Sequence, residues 1–122
     1  MQIDMVQVKI HRAVITDAHL DYVGSITIGK NLIKASGLRA GQKIDIVDIN
    51  NGERFTTYVL ESEHDFDMCV NGAAARKVQI GDTIIVIAYA SYSEEELKTY
   101  IPKAVLVNEK NEVLEIRHEL KG

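Results

Sequence analysis

Apolar residues come in short runs rich in valine, isoleucine and threonine, broken repeatedly by glycine and asparagine. This is the pattern of many short strands, not of long amphipathic helices. Strands are expected over Gln7–Arg12, Ser25–Ile28, Lys43–Ile49, Glu53–Glu61, Met68–Val70 and Thr83–Ala90, with a final pair, Ala104–Val107 and Val113–Ile116, around Asn108-Glu109-Lys110-Asn111. Asn50-Asn51-Gly52 separates two alternating runs and predicts a hairpin, since both turn residues tolerate positive φ. Two short helices are expected. Lys30–Ser36 is stopped by Gly37, and Glu94–Tyr100 opens with capping-box spacing between Ser93 and Glu96 and cannot pass Pro102.

A weak internal repeat adds to this picture. Leu38-Arg39-Ala40-Gly41-Gln42-Lys43-Ile44-Asp45-Ile46-Val47 and Val78-Gln79-Ile80-Gly81-Asp82-Thr83-Ile84-Ile85-Val86-Ile87 share an apolar-x-x-Gly-x-x-Ile-x-apolar-apolar spacing. A glycine turn therefore feeds a buried strand twice. Two unrelated turn-strand units would give this spacing, and so would a pseudo-twofold β-barrel.

At 122 residues the chain fits one domain, residues 1–122, which buries roughly two thirds of its unfolded surface. Fourteen basic residues against 18 acidic ones give a formal charge of −4, which has no general attraction for phosphate backbones, so nucleic acid is not an expected partner. No apolar run is long enough to span a bilayer and the N-terminus has no basic, signal-like segment; no membrane partner and a cytoplasmic location are the expectation. Cys69 is the only cysteine, and its neighbours Met68 and Val70 suggest a buried, inert thiol. His19, His64 and His118 show no carboxylate or histidine at ligand spacing, so no metal site is expected.

The candidate chemistry centres on Gly24-Ser25, preceded by Tyr22. It is accompanied, in order, by Lys9-Ile10-His11-Arg12 upstream, then Asn51-Gly52-Glu53-Arg54-Phe55-Thr56-Thr57-Tyr58, then Asn71-Gly72-Ala73-Ala74-Ala75. From Met5 to Ile87 the combination resembles the aspartate 1-decarboxylases, pyruvoyl-dependent enzymes that make β-alanine for pantothenate synthesis. The resemblance implies a double-psi β-barrel with two or three short helices and a homotetramer with active sites between neighbouring subunits. It also implies self-cleavage between Gly24 and Ser25 into chains 1–24 and 25–122. Ser25 would become a pyruvoyl group that forms a Schiff base with L-aspartate, with no external cofactor. Whether cleavage is spontaneous or assisted by a maturation partner protein stays open.

Arg54 carries a planar fork suited to gripping a carboxylate, and Lys9 could neutralise a second one; which cation meets which carboxylate is open. A tight grip on the departing carboxylate would hinder its loss, so the stronger clamp is expected on the side-chain carboxylate. Tyr58, four residues after Arg54 on one strand face, could protonate Cα as a phenol. The resemblance gives the Thr57 hydroxyl to the cleavage intermediate, although strict alternation sends Thr57 to the opposite face unless a bulge re-aims it. Tyr22 and His11 are candidates for proton handling in maturation, and Gly24 is expected to leave room for the attack. Asn71, Gly72, Ala73 and Ala74 either form a tight turn or present backbone N–H groups to substrate, as the resemblance implies. The reading from another class is a non-catalytic β-barrel module for binding or oligomerisation.

Overall fold

The computed structural model describes residues 1–120. Its elements are β1 (Gln2–Val14), β2 (Asp17–His19), β3 (Ser25–Ile28), α1 (Lys30–Ser36), β4 (Lys43–Asp48), β5 (Arg54–Glu61), β6 (Met68–Asn71), a 3₁₀ turn at Gly72–Lys77, β7 (Thr83–Ser93), α2 (Glu94–Leu97), β8 (Lys103–Val107) and β9 (Val113–Arg117). The fold is mainly β with three short helical segments, as expected. No helix among the described residues is long and apolar enough to cross a membrane.

The strands form one sheet in the order β2-β6-β3-β5-β4-β7-β1-β8-β9. Only Ile15-Thr16 separates β1 from β2, and there Ile15 N–H donates to Asp82 O and Thr16 N–H to Met68 O, both at 2.9 Å. One chain segment thus stands at both ends of the series from β2 to β1, an arrangement consistent with a double-psi barrel. Its interior holds fully buried Ile10, Ile26, Ile28, Ile46, Val59 and Ile84. β1 reaches this core by changing phase. Val8 and Ile10 point inward, then a register shift at Arg12 (φ 71°) brings Ala13 and Ile15 inward in place of the arginine.

The internal repeat is a real symmetry. Gly41 and Gly81 both have positive φ, at 87° and 94°. Gly41 N–H donates to Val59 O and Gly81 N–H to Ile15 O, each at 2.8 Å, and the side chains of Gln42 and Asp82 accept from Arg39 N and Gln79 N at 3.0 and 2.9 Å. β4 and β7 pair antiparallel with Ile46 opposite Val86, two residues that are equivalent in the repeat. The pseudo-twofold axis therefore passes through that pair.

Several expected boundaries shift for physical reasons. β1 and β7 pair along their whole lengths, from Gln2 opposite Ser93 to Val14 opposite Thr83, and where they run beyond the expected bounds Ser91 Oγ donates to Asp4 Oδ1 at 2.6 Å. α2 has the expected capping box but ends at Leu97, not Tyr100. β2 was not expected, being three residues of Asp-Ala-His. In the β4–β5 hairpin only Gly52 has positive φ. Asn51 instead uses its side chain, accepting from Glu53 N at 2.8 Å and donating to Lys77 O at 2.7 Å. Asn111 is buried at φ 59° and is more than a turn residue. Its amide accepts from Val14 N (2.8 Å) and donates to Val14 O and Phe66 O (2.9 and 2.8 Å), tying the β8–β9 connection to β1.

Asp48 closes the hairpin from inside. Its Oδ1 accepts from Asn50 N and Asn51 N at 2.8 and 3.3 Å, whereas its buried Oδ2 has no donor. Burial, followed by its contact with the Asp82 carboxyl, pushes Asp48 up to about 6; once protonated, Oδ2 can donate to Asp82 and is no longer orphaned. The folded state holds this proton more tightly than the unfolded chain, so stability is fully present below pH 4 and is lost as pH rises through about 6. Asp48→Asn, whose amide can donate to Asp82, should flatten this dependence, so the variant's stability relative to the parent should rise between pH 4 and pH 7 in urea unfolding curves.

Candidate active site

A cavity of about 390 Å³ opens on the outward face of β2, β6, β3 and β5. Strand pairing lays its walls down as two cross-strand rows, Asp17–Cys69–Thr27–Leu60 and His19–Asn71–Ser25, with Thr16, Asp67, Tyr22 and Val23 around them. Ser25 is 0% exposed although it borders the cavity. Its hydroxyl donates to Val23 O at 3.1 Å and accepts from Asn71 Nδ2 at 3.0 Å. Asn71 is itself locked, since Nδ2 also donates to Thr27 Oγ1 at 3.0 Å and Oδ1 accepts from Cys69 Sγ at 3.3 Å. The hydroxyl is thereby immobilised beside the Gly24–Ser25 peptide bond.

Glycine 72, immediately after Asn71, makes that arrangement possible. At φ 77° it turns the chain from β6 into the 3₁₀ segment, and a Cβ there would lie 2.5 Å from Gly24 Cα and 2.7 Å from Gly24 N. The crowded glycine is Gly72, whereas a Cβ on Gly24 would meet nothing within 4 Å outside its chain neighbours. Ala73 follows in the 3₁₀ segment, and Ala74 and Ala75 pack their methyl groups against the core, so the small residues dock this turn.

The other expected residues fall in two groups. Tyr22 lines the cavity and stacks on His19 with ring centroids 4.5 Å apart. The parallel β3–β5 ladder begins at Ile26–Val59, one residue after Ser25 and Tyr58, and neither Thr57 nor Tyr58 lines the cavity. The β4–β5 ladder runs from Lys43–Tyr58 to Val47–Arg54 without a bulge, so Thr57 stays on the face opposite Arg54 and Tyr58. Arg54 lies roughly 13 Å along β5 from Tyr58. There its Nη2 donates to Tyr89 Oη at 2.8 Å and pairs with Asp45 Oδ2 at 3.4 Å. Lys9 lies beyond Asp45 and Ile87, opposite Ala104, and His11 lies between Ile85 and Leu106; neither lines the cavity. Burial first, then Lys9 and Arg12, hold His11 below its ordinary value.

Two sequence readings change at this site. Cys69 is only partly buried and faces the cavity; burial, then Asp17 and Asp67, push its thiol up to about 11, which keeps it protonated. His19 does have a carboxylate partner, because its Nε2 lies 2.9 Å from Asp17 Oδ2. The missed signal was Asp-x-His on a strand, where residues two apart share a face.

Comparison with known proteins decides which family shares this architecture. The model of the aspartate decarboxylase family matches residues 1–114. The chain belongs to the aspartate decarboxylase family. The aspartate 1-decarboxylase of Aliarcobacter butzleri is 60% identical, with 100% of this chain and 97% of that protein covered. Those of Wolinella succinogenes and Helicobacter acinonychis are 56% and 60% identical, covering 98% and 94% of this chain and 100% and 99% of their own lengths. This family membership removes the alternative of a non-catalytic binding module.

The two glycines of the family motif should respond oppositely to a methyl group. Gly72→Ala should lose more than about 1 kcal/mol in denaturant unfolding, from left-handed strain plus contact with Gly24. Gly24→Ala should leave stability nearly unchanged in the same measurement. Equal losses would show that the Gly72–Gly24 contact does not control this turn.

Proposed function

We propose that this chain converts L-aspartate to β-alanine and CO₂ using a pyruvoyl group made from its own Ser25, with no added cofactor. The observation that carries this reading is the buried Ser25 hydroxyl, held by Asn71 and Val23 next to the Gly24 backbone at the wall of a cavity large enough for a small amino acid. The family match over residues 1–114 supports it.

In maturation the Ser25 Oγ attacks the Gly24 carbonyl carbon, and collapse of the tetrahedral oxyanion breaks the C–N bond and leaves an ester with a free Ser25 amine. β-Elimination expels the Gly24 carboxylate and leaves dehydroalanine, and addition of water with loss of ammonia ends at pyruvoyl on chain 25–122. The amide is more stable than the ester, so the fold must hold Oγ in place and offer a donor to the oxyanion. Asn71 suits the first, and Thr57, two residues before the Val59 that pairs with Ile26, is our candidate for the second.

A pyruvoyl group supplies a ketone for the substrate amine and an adjacent amide carbonyl that takes up the electron pair as CO₂ leaves. The protein then has to bind, orient and protonate. Tyr58, next to the Val59 that pairs with Ile26, is our candidate for proton delivery to Cα. Arg54 and Lys9 are the cations for the two carboxylates, with Asn71, Gly72, Ala73 and Ala74 forming the floor. Lys9 and Arg54 lie on the outward face of β1, β4, β5 and β7, away from the cavity. A neighbouring copy that brings this face to the Ser25 cavity would unite the set, which is why we favour a homotetramer with shared sites. Free aspartate as substrate fits a cytoplasmic location.

Intact mass is the direct test. The active protein should resolve into fragments 1–24 and 25–122, the larger refractory to Edman sequencing and lighter than a serine-started chain by one ammonia. Ser25→Ala should stay full length and make no β-alanine; normal production by this variant would overturn the assignment. Tyr58→Phe should mature fully yet show a kcat at least tenfold lower. Arg54→Ala should raise KM for aspartate with cleavage intact, whereas loss of both would indicate a structural role.

A further inference from the structure

On the cavity wall, Asp17 and Cys69 of the first row and His19 of the second bring a carboxylate oxygen, a thiol sulfur and an imidazole nitrogen within 4.8 Å of one another. We propose that these three side chains form a binding site for a divalent cation of the zinc class, with its fourth coordination position open to the Ser25 cavity. Neither the decarboxylation nor the self-cleavage proposed above uses such a site.

The donor set fits the metal. One nitrogen, one sulfur and one oxygen at metal–ligand distances of about 2.0–2.3 Å make a three-ligand tetrahedral site with one open position. Donors in such a site stand roughly 3.5 Å apart. With the donors within 4.8 Å of one another, closing the cluster asks for a shift of about an ångström.

The strands that carry these donors are held in place. Asp17 pairs with Cys69 in the parallel β2–β6 ladder, and His19, two residues on, shares the Asp17 face. The imidazole is oriented twice, by its Nε2 contact of 2.9 Å with Asp17 Oδ2 and by stacking on Tyr22. A cation would replace the Asp17–His19 contact with bonds to both partners.

Charge favours the same occupant. The groups facing Cys69 are the carboxylates of Asp17 and Asp67, which oppose a thiolate, together with the Asn71 amide oxygen and His19. A divalent ion would reverse that balance and let Cys69 ionise. The thiol proton leaves for solvent as sulfur coordinates, so one proton is released per ion and binding strengthens as pH rises toward neutrality and above.

Cobalt(II) serves as a coloured probe and Zn²⁺ as competitor, both titrated into the full-length protein in buffer without chelator. One equivalent of Co²⁺ per chain should bind with a near-ultraviolet thiolate-to-cobalt charge-transfer band, which Zn²⁺ should abolish. Cys69→Ser should lose that band, and Asp17→Asn and His19→Gln should each weaken Zn²⁺ binding at least tenfold by calorimetry. His64→Gln should match the parent. Thermal unfolding of each metal-free variant checks its fold, and His19→Gln, whose side chain is 37% exposed, carries the test if Cys69→Ser is unfolded. Ser25→Ala should bind equally, which separates this outcome from that of the pyruvoyl reading. Absence of the charge-transfer band, or equal Zn²⁺ affinity in the parent and His19→Gln, would overturn the site.

Discussion

The contact between the backbones of Gly72 and Gly24 governs the site. With a Cβ at position 72 projected 2.5 Å from Gly24 Cα, only glycine at positive φ lets β6 end where it does. That ending places Asn71 opposite Ser25 on the antiparallel β3–β6 ladder, where its amide reaches both Ser25 and Thr27. The Ser25 hydroxyl is held by this sequence of constraints, between Val23 O and Asn71 Nδ2. The sheet does the positioning, and the glycine permits it.

The pseudo-twofold arrangement explains why the site sits where it does. Two equivalent glycine turns brace the strands through matching hydrogen bonds to Val59 and Ile15. β5 is thereby set against β3, and the β1–β2 segment runs continuously past β7 and then β6. The same geometry produces two outward faces of different character. One carries the Ser25 cavity with Asp17, His19 and Cys69, and the other carries Lys9 and Arg54 with Asp45 between their strands. The function proposed above calls on both faces, while the cation site proposed here belongs to the first alone.

Polar groups placed in the interior set the geometry of the connections. Asn111 satisfies both backbone groups of Val14 where β1 bends toward β2, a place where water is excluded and unpaired amides would be costly. Asp48 plays a comparable part in the β4–β5 hairpin, at the expense of a carboxyl pushed up to about 6. In both cases a side chain takes the place of a ladder hydrogen bond, so the turn is specified by tertiary contact.

The strand-rich class, α1, the α2 capping box and the repeated glycine turns were legible in the chain, because alternation, caps and positive-φ glycines are local properties. The Gly24-Ser25 motif and its companions were legible as a family pattern. Long-range pairing decided the rest: the full lengths of β1 and β7, the three-residue β2, the bulge at Arg12, and the burial of Asn111 depend on partners dozens of residues away. Pairing also made Gly72 the crowded glycine, opened Cys69 to the cavity and set it beside Asp17 and His19. Sequence spacing records which residues share a strand face, but only the register between strands determines which faces meet.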